Sequence, residues 1–354
     1  MKRSLAAVTL AAASFLATGD ALLAQTPKLD TTNMMIPSGD PGIELCLRNK
    51  HPAGMQSFSA EKTLLYVHGA TYPSESTFDL PIEGASMMDL IAARGYDVWF
   101  VDVRGYGCSS RPAEMSQPAS VGKPVVTSEV AARDYGTAVD HVLKARGLAK
   151  LNVMGWSWGT VITGMYTSTH NDKVNRLVLY APLWLFREGT GVAAPAANAP
   201  PLPAYRTVTR EAARDRWLKG VPEDRKAALI PPGVLEAWLD ATFATDPAGA
   251  KQVPPVLRAP NGVLADVGAF WRAGKPQYDP GKITVPVFLI HAEWDADLPS
   301  DQAQGYFAQL KNAPYRRFVE MSEGTHAVML EKNRMQFFRE IMGFLDEEQP
   351  MALR

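Results

Sequence analysis

The chain is poor in cysteine and close to neutral in charge. It has 354 residues, of which two are cysteines, and a formal net charge of −1. Two cysteines cannot by themselves form a zinc site, and neither lies in a Cys-x-x-Cys pattern. The missing basic and aromatic clusters argue against nucleic-acid binding. No metal-ligand spacing, phosphate-binding glycine loop or paired-carboxylate glycosidase pattern stands out, so we expect no metal and no cofactor.

Long apolar runs are scarce as well, and the clearest one lies at the N-terminus. Lys2 and Arg3 precede an apolar stretch over residues 5–17, and small residues follow up to Gln25. The stretch is shorter than the roughly 20 residues that a membrane-spanning helix needs. This pattern is typical of a secretory signal peptide, which we assign to residues 1–24. We therefore expect a periplasmic or secreted protein with no stable membrane insertion after cleavage.

Export leaves two alternatives for Cys46 and Cys108. They can form a disulfide bond in an oxidising compartment, or they can remain separate thiols buried among apolar side chains. Both alternatives stay open here, because the sequence alone does not show whether the two residues are close in space.

Near-continuous apolar segments alternate with helix-length segments along much of the chain. Such alternation predicts an α/β fold in which a parallel sheet is covered by helices on both faces. An antiparallel edge strand is predicted before them, over residues 42–47. The predicted buried strands are 63–67, 97–101, 151–154, 176–180, 285–290 and 316–321, and the predicted helices are 86–94, 128–145, 161–168, 300–311 and 330–345.

The alternation is interrupted over residues 183–282, which are rich in proline, alanine and tryptophan. So long a segment is unusual for a loop without secondary structure. We therefore predict a mostly helical lid at 183–282, inserted into a core domain formed by residues 25–182 and 283–354. Its helical pieces are expected over residues 209–218, 234–243 and 262–271.

The strand over 151–154 leads into Gly155-Trp156-Ser157-Trp158-Gly159, and a helix is predicted to follow. A serine in a sharp turn between a strand and a helix exposes its hydroxyl and the neighbouring N–H groups. Small residues avoid clashes in so tight a turn. Ser157 is the predicted nucleophile, although a glycine-rich turn with an exposed serine is the alternative. Serine is a weak nucleophile at neutral pH, so it needs a base and a stabiliser of negative charge.

The base is expected at His326, which follows the last predicted strand and is the only one of six histidines on a late loop. A carboxylate must orient such a base and stabilise its charged form. Asp295, in the loop after the strand over 285–290, is the preferred acid, and Asp297 is the alternative. The loop after the strand over 176–180 contains no carboxylate.

The negative charge that develops on the substrate needs two backbone donors. We expect the N–H of Trp158, directly after the nucleophile, and that of Ala70, in the loop after the first parallel strand; Thr71 is the alternative to Ala70. Nearby aromatic residues can line a substrate pocket or pack beneath the lid, and the candidates are Tyr72, Trp156 and Trp184.

The chain resembles the α/β-hydrolase superfamily over residues 40–346. The resemblance rests on His68-Gly69, the segment 102–109, the Ser157 turn, Asp295 and Gly324-Thr325-His326. It implies an eight-stranded, mostly parallel sheet, a helical lid and a serine-hydrolase mechanism. The Gly-x-Ser-Trp-Gly turn is also similar to that of proline-iminopeptidase-type members. Those members, however, have His-Gly-Gly-Pro-Gly where this chain has His-Gly-Ala-Thr-Tyr.

Together these features predict an exported serine hydrolase that cleaves a small-molecule ester or lactone, with an apolar or aromatic substrate, through an acyl-enzyme. The nearest alternative is an aminopeptidase or amidase, which would need a lid carboxylate to bind the substrate ammonium. A cofactor-free perhydrolase and a catalytically silent binding protein are the others. The carboxylates available for the first alternative are Glu188, Glu211, Asp215, Glu236 and Asp240.

Overall fold

An eight-stranded sheet forms the centre of the computed structural model, which describes residues 27–186 and 200–348. The predicted signal peptide at 1–24 lies outside the described residues. The strands, in chain order, are β1 (Leu29–Pro37), β2 (Glu44–Pro52), β3 (Thr63–Val67), β4 (Asp97–Asp102), β5 (Leu151–Trp156), β6 (Val174–Tyr180), β7 (Tyr205–Thr209), β8 (Val256–Pro260), β9 (Val287–Ala292) and β10 (Arg316–Met321).

The order of strands in the sheet is β1-β2-β4-β3-β5-β6-β9-β10. The strands β1 and β2 pair antiparallel, as do β2 and β4, and all other neighbours in this sheet are parallel. Every residue of β3, β4, β5 and β9 is buried, as expected for strands covered on both faces. The prediction of an eight-stranded, mostly parallel sheet is therefore confirmed.

The antiparallel edge was predicted in the wrong place. The strand expected at the edge, over 42–47, is β2, and it lies one position inside the sheet between β1 and β4. The edge strand is β1, whose residues are mostly exposed. Because an exposed edge strand needs no apolar alternation, the sequence pattern gave no sign of it.

Helices cover the two faces of the sheet, and none in the described part of the chain is long and apolar enough to cross a bilayer. The longest, over 128–146, begins after a Thr127 cap and ends at Gly147, whose φ of 66° is left-handed. The α-helices are α1 (Ser74–Phe78), α2 (Met87–Ala92), α3 (Ser128–Arg146), α4 (Trp158–Thr169), α5 (Arg210–Trp217), α6 (Lys226–Leu229), α7 (Val234–Ala244), α8 (Pro247–Ala250), α9 (Gly262–Asp266), α10 (Ser300–Gln309) and α11 (Arg334–Leu345).

The segment between β6 and β9, here called the insertion (residues 183–282), contains both helices and strands. Helices α5, α7 and α9 lie where helical pieces were expected, and a π-helical turn over Val267–Trp271 continues α9. The insertion also contains β7 and β8, which pair antiparallel as a separate two-stranded sheet. Each of these strands has five residues, too short to show a distinct period, so the prediction of a mostly helical insertion did not include them.

Cys46 and Cys108 form a disulfide bond, with their Cα atoms 5.5 Å apart. The bond joins β2 to the loop that follows β4. Ser109, the next residue of that loop, accepts a hydrogen bond from the N–H of Cys46 (2.7 Å) and donates to the carbonyl of Asp102 (2.5 Å). The disulfide and these bonds hold the loop against β2, so the alternative that the sequence left open is decided in favour of pairing.

Replacing both cysteines by alanine should lower the stability of the protein by about 2–4 kcal/mol, because the crosslink closes a long loop in the unfolded chain. The loop spans a sequence separation of 62 residues. Urea denaturation of the wild type and the double variant measures the loss. Reductant should destabilise the wild type and leave the double variant unchanged; equal sensitivity of both proteins would contradict a structural role for this bond.

Candidate active site

Ser157 lies between the end of β5 and the start of α4, in a backbone conformation that non-glycine residues rarely adopt. Its φ is 57° and its ψ is −121°. The N–H of Ser157 donates to the carbonyl of Tyr180 (2.9 Å), which ties the turn to the end of β6. Strained backbone of this kind persists only where the surrounding structure enforces it, and such sites are concentrated in active sites.

The glycines of the turn are required by close backbone contacts. A Cβ atom on Gly155 would lie 2.2 Å from the carbonyl oxygen of Gly159, and one on Gly159 would lie 2.6 Å from that of Val67. Gly69, in the neighbouring loop, would bring a Cβ within 3.0 Å of the Cβ of Ser157. The loop after β3 and the start of α4 therefore approach each other around Ser157 as closely as backbones without side chains allow.

His326 contacts Asp295 and not Asp297. The Nδ1 atom of His326 lies 2.7 Å from Oδ2 of Asp295, a residue of the loop after β9. The other carboxylate oxygen accepts the N–H groups of Asp297 and Leu298, both at 3.0 Å. Asp295 is thus held by its own loop while it accepts from the imidazole. A proton on Nδ1 leaves Nε2 free to accept a proton from a substrate or a nucleophile.

The loop that carries His326 packs against the residue before the nucleophile. The indole Nε1 of Trp156 donates to the carbonyl of His326 (2.8 Å), and the two ring centroids lie 5.2 Å apart. Ser157 follows Trp156 directly in the chain. The predicted nucleophile, base and acid are therefore at one edge of the sheet, and their catalytic roles stay predictions.

Two backbone N–H groups are available beside Ser157. Trp158 is the first residue of α4, and the first N–H groups of a helix have no partner within it. The N–H of Ala70 finds no acceptor among the residues that the structure describes. His68 fixes its direction, because Nδ1 of His68 lies 2.6 Å from the carbonyl of Gly69, which is opposite that N–H in the same planar peptide.

The imidazole of His68 is itself neutral. Its Nε2 accepts from the N–H of Val103 (3.2 Å), so Nδ1 carries the proton that Gly69 accepts. Complete burial lowers the pKa of His68 to about 4. A neutral, doubly bonded histidine supports the loop of Ala70 and takes no part in proton transfer near neutral pH.

Ser157 opens into a cavity, here called the Ser157 cavity, whose lining includes both residues with candidate N–H donors, Ala70 and Trp158. Apolar side chains of the insertion, Leu183 and Val263 among them, line it as well. Two arginines of the insertion, Arg206 and Arg216, are also part of the lining. Sequence reasoning missed both arginines, because neither lies in a motif or in a segment whose packing follows from periodicity.

A second, narrow cavity lies beside His326, and we call it the aromatic cavity. Arg216 and Asp297 border both cavities, so this ion pair separates them. Tyr72 and Trp156 line the aromatic cavity, where their predicted substrate contacts stay possible. Trp184 lines neither cavity; it packs edge-on against two tyrosines at 5.1 and 5.7 Å, so its burial accounts for its position.

Asp297 is ionised through its contact with Arg216. The Nε of Arg216 donates to Oδ2 of Asp297 at 2.6 Å, and Lys219 lies 3.6 Å from the other oxygen. Burial alone would raise the pKa of Asp297, but Arg216, His326 and Lys219 hold it at about 2. Asp297, the alternative candidate acid, is therefore paired with side chains of the insertion.

Glu331 lies beneath the loop of His326. It accepts hydrogen bonds from the N–H of Thr325 (3.0 Å), from the Thr325 hydroxyl, and from the indole of Trp217 (2.9 Å). Burial raises the pKa of Glu331 to about 7. This carboxyl group joins the loop of His326 to α5 of the insertion.

Gly159→Ala should destabilise the protein by about 1–3 kcal/mol and remove most activity, because the new Cβ would push α4 away from the end of β3. Gly268→Ala is the matched control, since a Cβ there meets nothing within 4 Å and should change stability by less than about 1 kcal/mol. Thermal unfolding and esterase assays measure both effects. Full activity of Gly159→Ala would show that the close approach is not required.

Glu331→Gln should become more stable relative to the wild type as the pH rises from about 5 to about 8. The folded protein keeps the Glu331 proton up to a pH of about 7, whereas the unfolded chain loses it near 4.5. Between these values the folded state binds more protons, so the wild-type free energy of unfolding falls with rising pH.

Urea denaturation across this pH range measures the difference between the two proteins. Glu129→Gln, at an exposed position of α3, is the control for the same chemical change. A difference between Glu331→Gln and wild type that stays constant with pH would contradict the raised pKa.

Comparisons with known proteins agree with this geometry. A family model described as the alpha/beta hydrolase fold matches residues 62–333, which is more than half of the chain. Human Lipase member K is 24% identical over 136 residues, covering 38% of this chain and 34% of that protein. Human Lipase member N is 24% identical over 178 residues, covering 46% and 45%. The chain thus spans less than half the length of these relatives.

Solved structures show the same fold at low sequence identity. A serine hydrolase involved in carbazole degradation superposes with a TM-score of 0.57 at 17% identity, covering 90% of this chain and 99% of that one. An esterase from Rhodococcus sp. ECU1013 gives a TM-score of 0.57 at 18% identity, with 90% and 99% covered. The family predicted from the motifs is confirmed, and the chain belongs to the alpha/beta hydrolase fold family.

Proposed function

We propose that this protein is a serine hydrolase that cleaves carboxylic esters or lactones through an acyl-enzyme. The observation that carries the proposal is the Asp295–His326 hydrogen bond of 2.7 Å, which lies at the same sheet edge as the strained turn of Ser157. In hydrolases of this fold, acyl transfer uses a serine nucleophile, an imidazole base that takes its proton, and a carboxylate that orients the imidazole.

The reaction begins when Oγ of Ser157 attacks the ester carbonyl carbon and passes its proton to Nε2 of His326. Asp295 stabilises the imidazolium, and the N–H groups of Ala70 and Trp158 bind the oxyanion. The tetrahedral intermediate collapses, and His326 returns the proton to the departing alcohol. Water then attacks the acyl-enzyme, giving a proton to His326, and the acid leaves as Ser157 is restored.

The charges around Ser157 favour esters over substrates with a free amino group. An aminopeptidase would need an unpaired carboxylate here, but Glu236 is paired with Arg210 and Arg214, and Asp240 with Arg210. Glu211 and Asp215 are exposed and border neither cavity, and Glu188 lies outside the described residues. The charged groups that line the Ser157 cavity are Arg206, Arg216 and Asp297; Asp297 is paired with Arg216, and the net positive charge repels an ammonium.

Export to the periplasm or the medium is part of the proposal. The disulfide between Cys46 and Cys108 supports it, because structural disulfides persist mainly in oxidising compartments. The signal-like pattern at residues 1–24 agrees with this location. We further propose that residues 183–282 act as the lid of the site, since the insertion supplies walls of both cavities.

Ser157→Ala should abolish hydrolysis of short p-nitrophenyl esters and leave the fold intact, because no other group can form the acyl-enzyme. The release of p-nitrophenol measures activity, and circular dichroism checks the fold. A fluorophosphonate probe should label the wild type and not the variant. Ester turnover by folded Ser157→Ala at the wild-type rate would overturn the mechanism.

The two candidate acids provide a matched pair for the same assay. Asp295→Asn should lower kcat by about 10⁴-fold, since the imidazole loses its orienting carboxylate. Asp297→Asn keeps the Asp295–His326 contact, so its kcat should stay within about tenfold of wild type. The reverse ranking would assign the role of the acid to Asp297.

A further inference from the structure

Arg206, on β7 of the insertion, projects into the Ser157 cavity with a charge that no neighbouring carboxylate matches. It donates to the Thr71 hydroxyl (2.8 Å), to the carbonyls of Ala70 and Pro260, and to the side-chain oxygen of Asn261 (3.3 Å). All these acceptors are neutral. Within residues 27–186 and 200–348, no carboxylate lies within ion-pair distance of this guanidinium.

The buried arginines of the described chain differ in their partners: Arg176 donates to the backbone carbonyls of Phe344, Leu345 and Glu347, whereas two others pair with carboxylates. Arg104 makes a two-pronged contact with Asp134, and Arg258 makes one with Asp246, each with its shortest distance at 2.6 Å. A buried cation without a counter-charge is costly. Arg206 is half-buried and has no carboxylate partner among the described residues, so its charge is available to an anion that enters the cavity.

Arg216, on α5, borders the same cavity and has N–H groups that no described residue accepts. Its Nε binds Asp297 and its Nη1 donates to the Thr71 hydroxyl (3.0 Å). No acceptor among the described residues takes its Nη2 group. Among the described residues that line the Ser157 cavity, Arg206 and Arg216 are cations and Asp297 is the carboxylate, so this lining carries a net positive charge.

The position of this positive charge beside Ser157 indicates which kind of ligand it would bind. Arg206 and a candidate oxyanion donor are joined by a hydrogen bond through the Ala70 carbonyl, so an anion on Arg206 would lie a few bonds from a carbonyl attacked by Ser157. The Nη groups of Arg206 already donate to four protein oxygens, so a carboxylate would accept from Nε of Arg206 and from the Nη2 group of Arg216. The cavity is also lined by the apolar side chains of Leu183, Val263 and Val267, which suit the carbon chain.

We propose that the preferred substrates are esters that carry a second, ionised carboxylate a few carbons from the scissile bond, bound by Arg206 and Arg216. Half-esters of short dicarboxylic acids are the simplest members of this class. The inference rests on the proposed ester hydrolysis and adds a substrate class to it.

The test compares two esters that differ in one charge, mono-p-nitrophenyl glutarate and p-nitrophenyl methyl glutarate. The wild type should show a kcat/KM at least about tenfold higher for the anionic ester, the effect expected of charge-assisted hydrogen bonds. Equal rates, or a preference for the neutral ester, would overturn the inference and leave ester hydrolysis standing.

Substitutions at Arg206 connect this preference to the residue. Arg206→Gln should bring the ratio of the two kcat/KM values close to one, and Arg206→Lys should keep part of it. The ratio is the informative readout, because loss of the bond to Ala70 lowers both rates together. Arg210→Gln, whose arginine is paired with Glu236 and Asp240 on the insertion, is the control and should keep the wild-type ratio.

Binding without turnover separates the two proposals. Calorimetry on folded Ser157→Ala should detect binding of glutarate, and the affinity for its monomethyl ester should be at least about tenfold lower. In the double variant that also carries Arg206→Gln, the two affinities should be equal. If no ester is hydrolysed but glutarate binds in this way, the anion site stands and the hydrolase proposal falls. If esters are hydrolysed but glutarate does not bind, the anion site falls alone.

Discussion

The close approach of α4 to the end of β3 is the contact on which the site depends. Gly159, the second residue of α4, lies so near the carbonyls of Val67 and His68 that any side chain would collide with them. This approach leaves no room for an ordinary turn, so Ser157 takes a positive φ. The same approach brings the free N–H at the start of α4 beside the loop of Ala70. The positions of the candidate nucleophile and of the candidate oxyanion donors thus both follow from this backbone contact.

Side chains of the insertion contact the loops that carry the candidate site residues. Arg206 and Arg216 both donate to the Thr71 hydroxyl, and Arg216 also holds Asp297, two residues beyond the candidate acid. The loop after β3 and the loop after β9 are therefore linked through side chains of the insertion. Because the same arginines border the Ser157 cavity, the groups that would recognise a substrate also position the candidate catalytic loops.

Much of the core was predictable because it rests on local patterns. Buried parallel strands are continuous apolar runs, and the turn of Ser157 needs glycines at fixed spacing, so the strand ends and the residues on them followed from the sequence. The edge strand β1, the β7–β8 pair and the disulfide depend on contacts between distant segments. Arg206 and Arg216 were not predicted for the same reason. The sequence around an arginine in a polar helix or a short strand does not show which cavity its side chain lines.

Burial acts on the charges of this site in two opposite ways. His68 and Glu331 are enclosed, and burial moves the pKa of the first down to about 4 and that of the second up to about 7, so each favours its neutral form. Arg206 cannot follow this route, because a guanidinium does not lose its proton near neutral pH. Burial lowers the pKa of Arg206, yet the group stays charged. The positive charge of Arg206 therefore cannot be removed by titration near neutral pH, and the carboxylate of the proposed substrate would balance it.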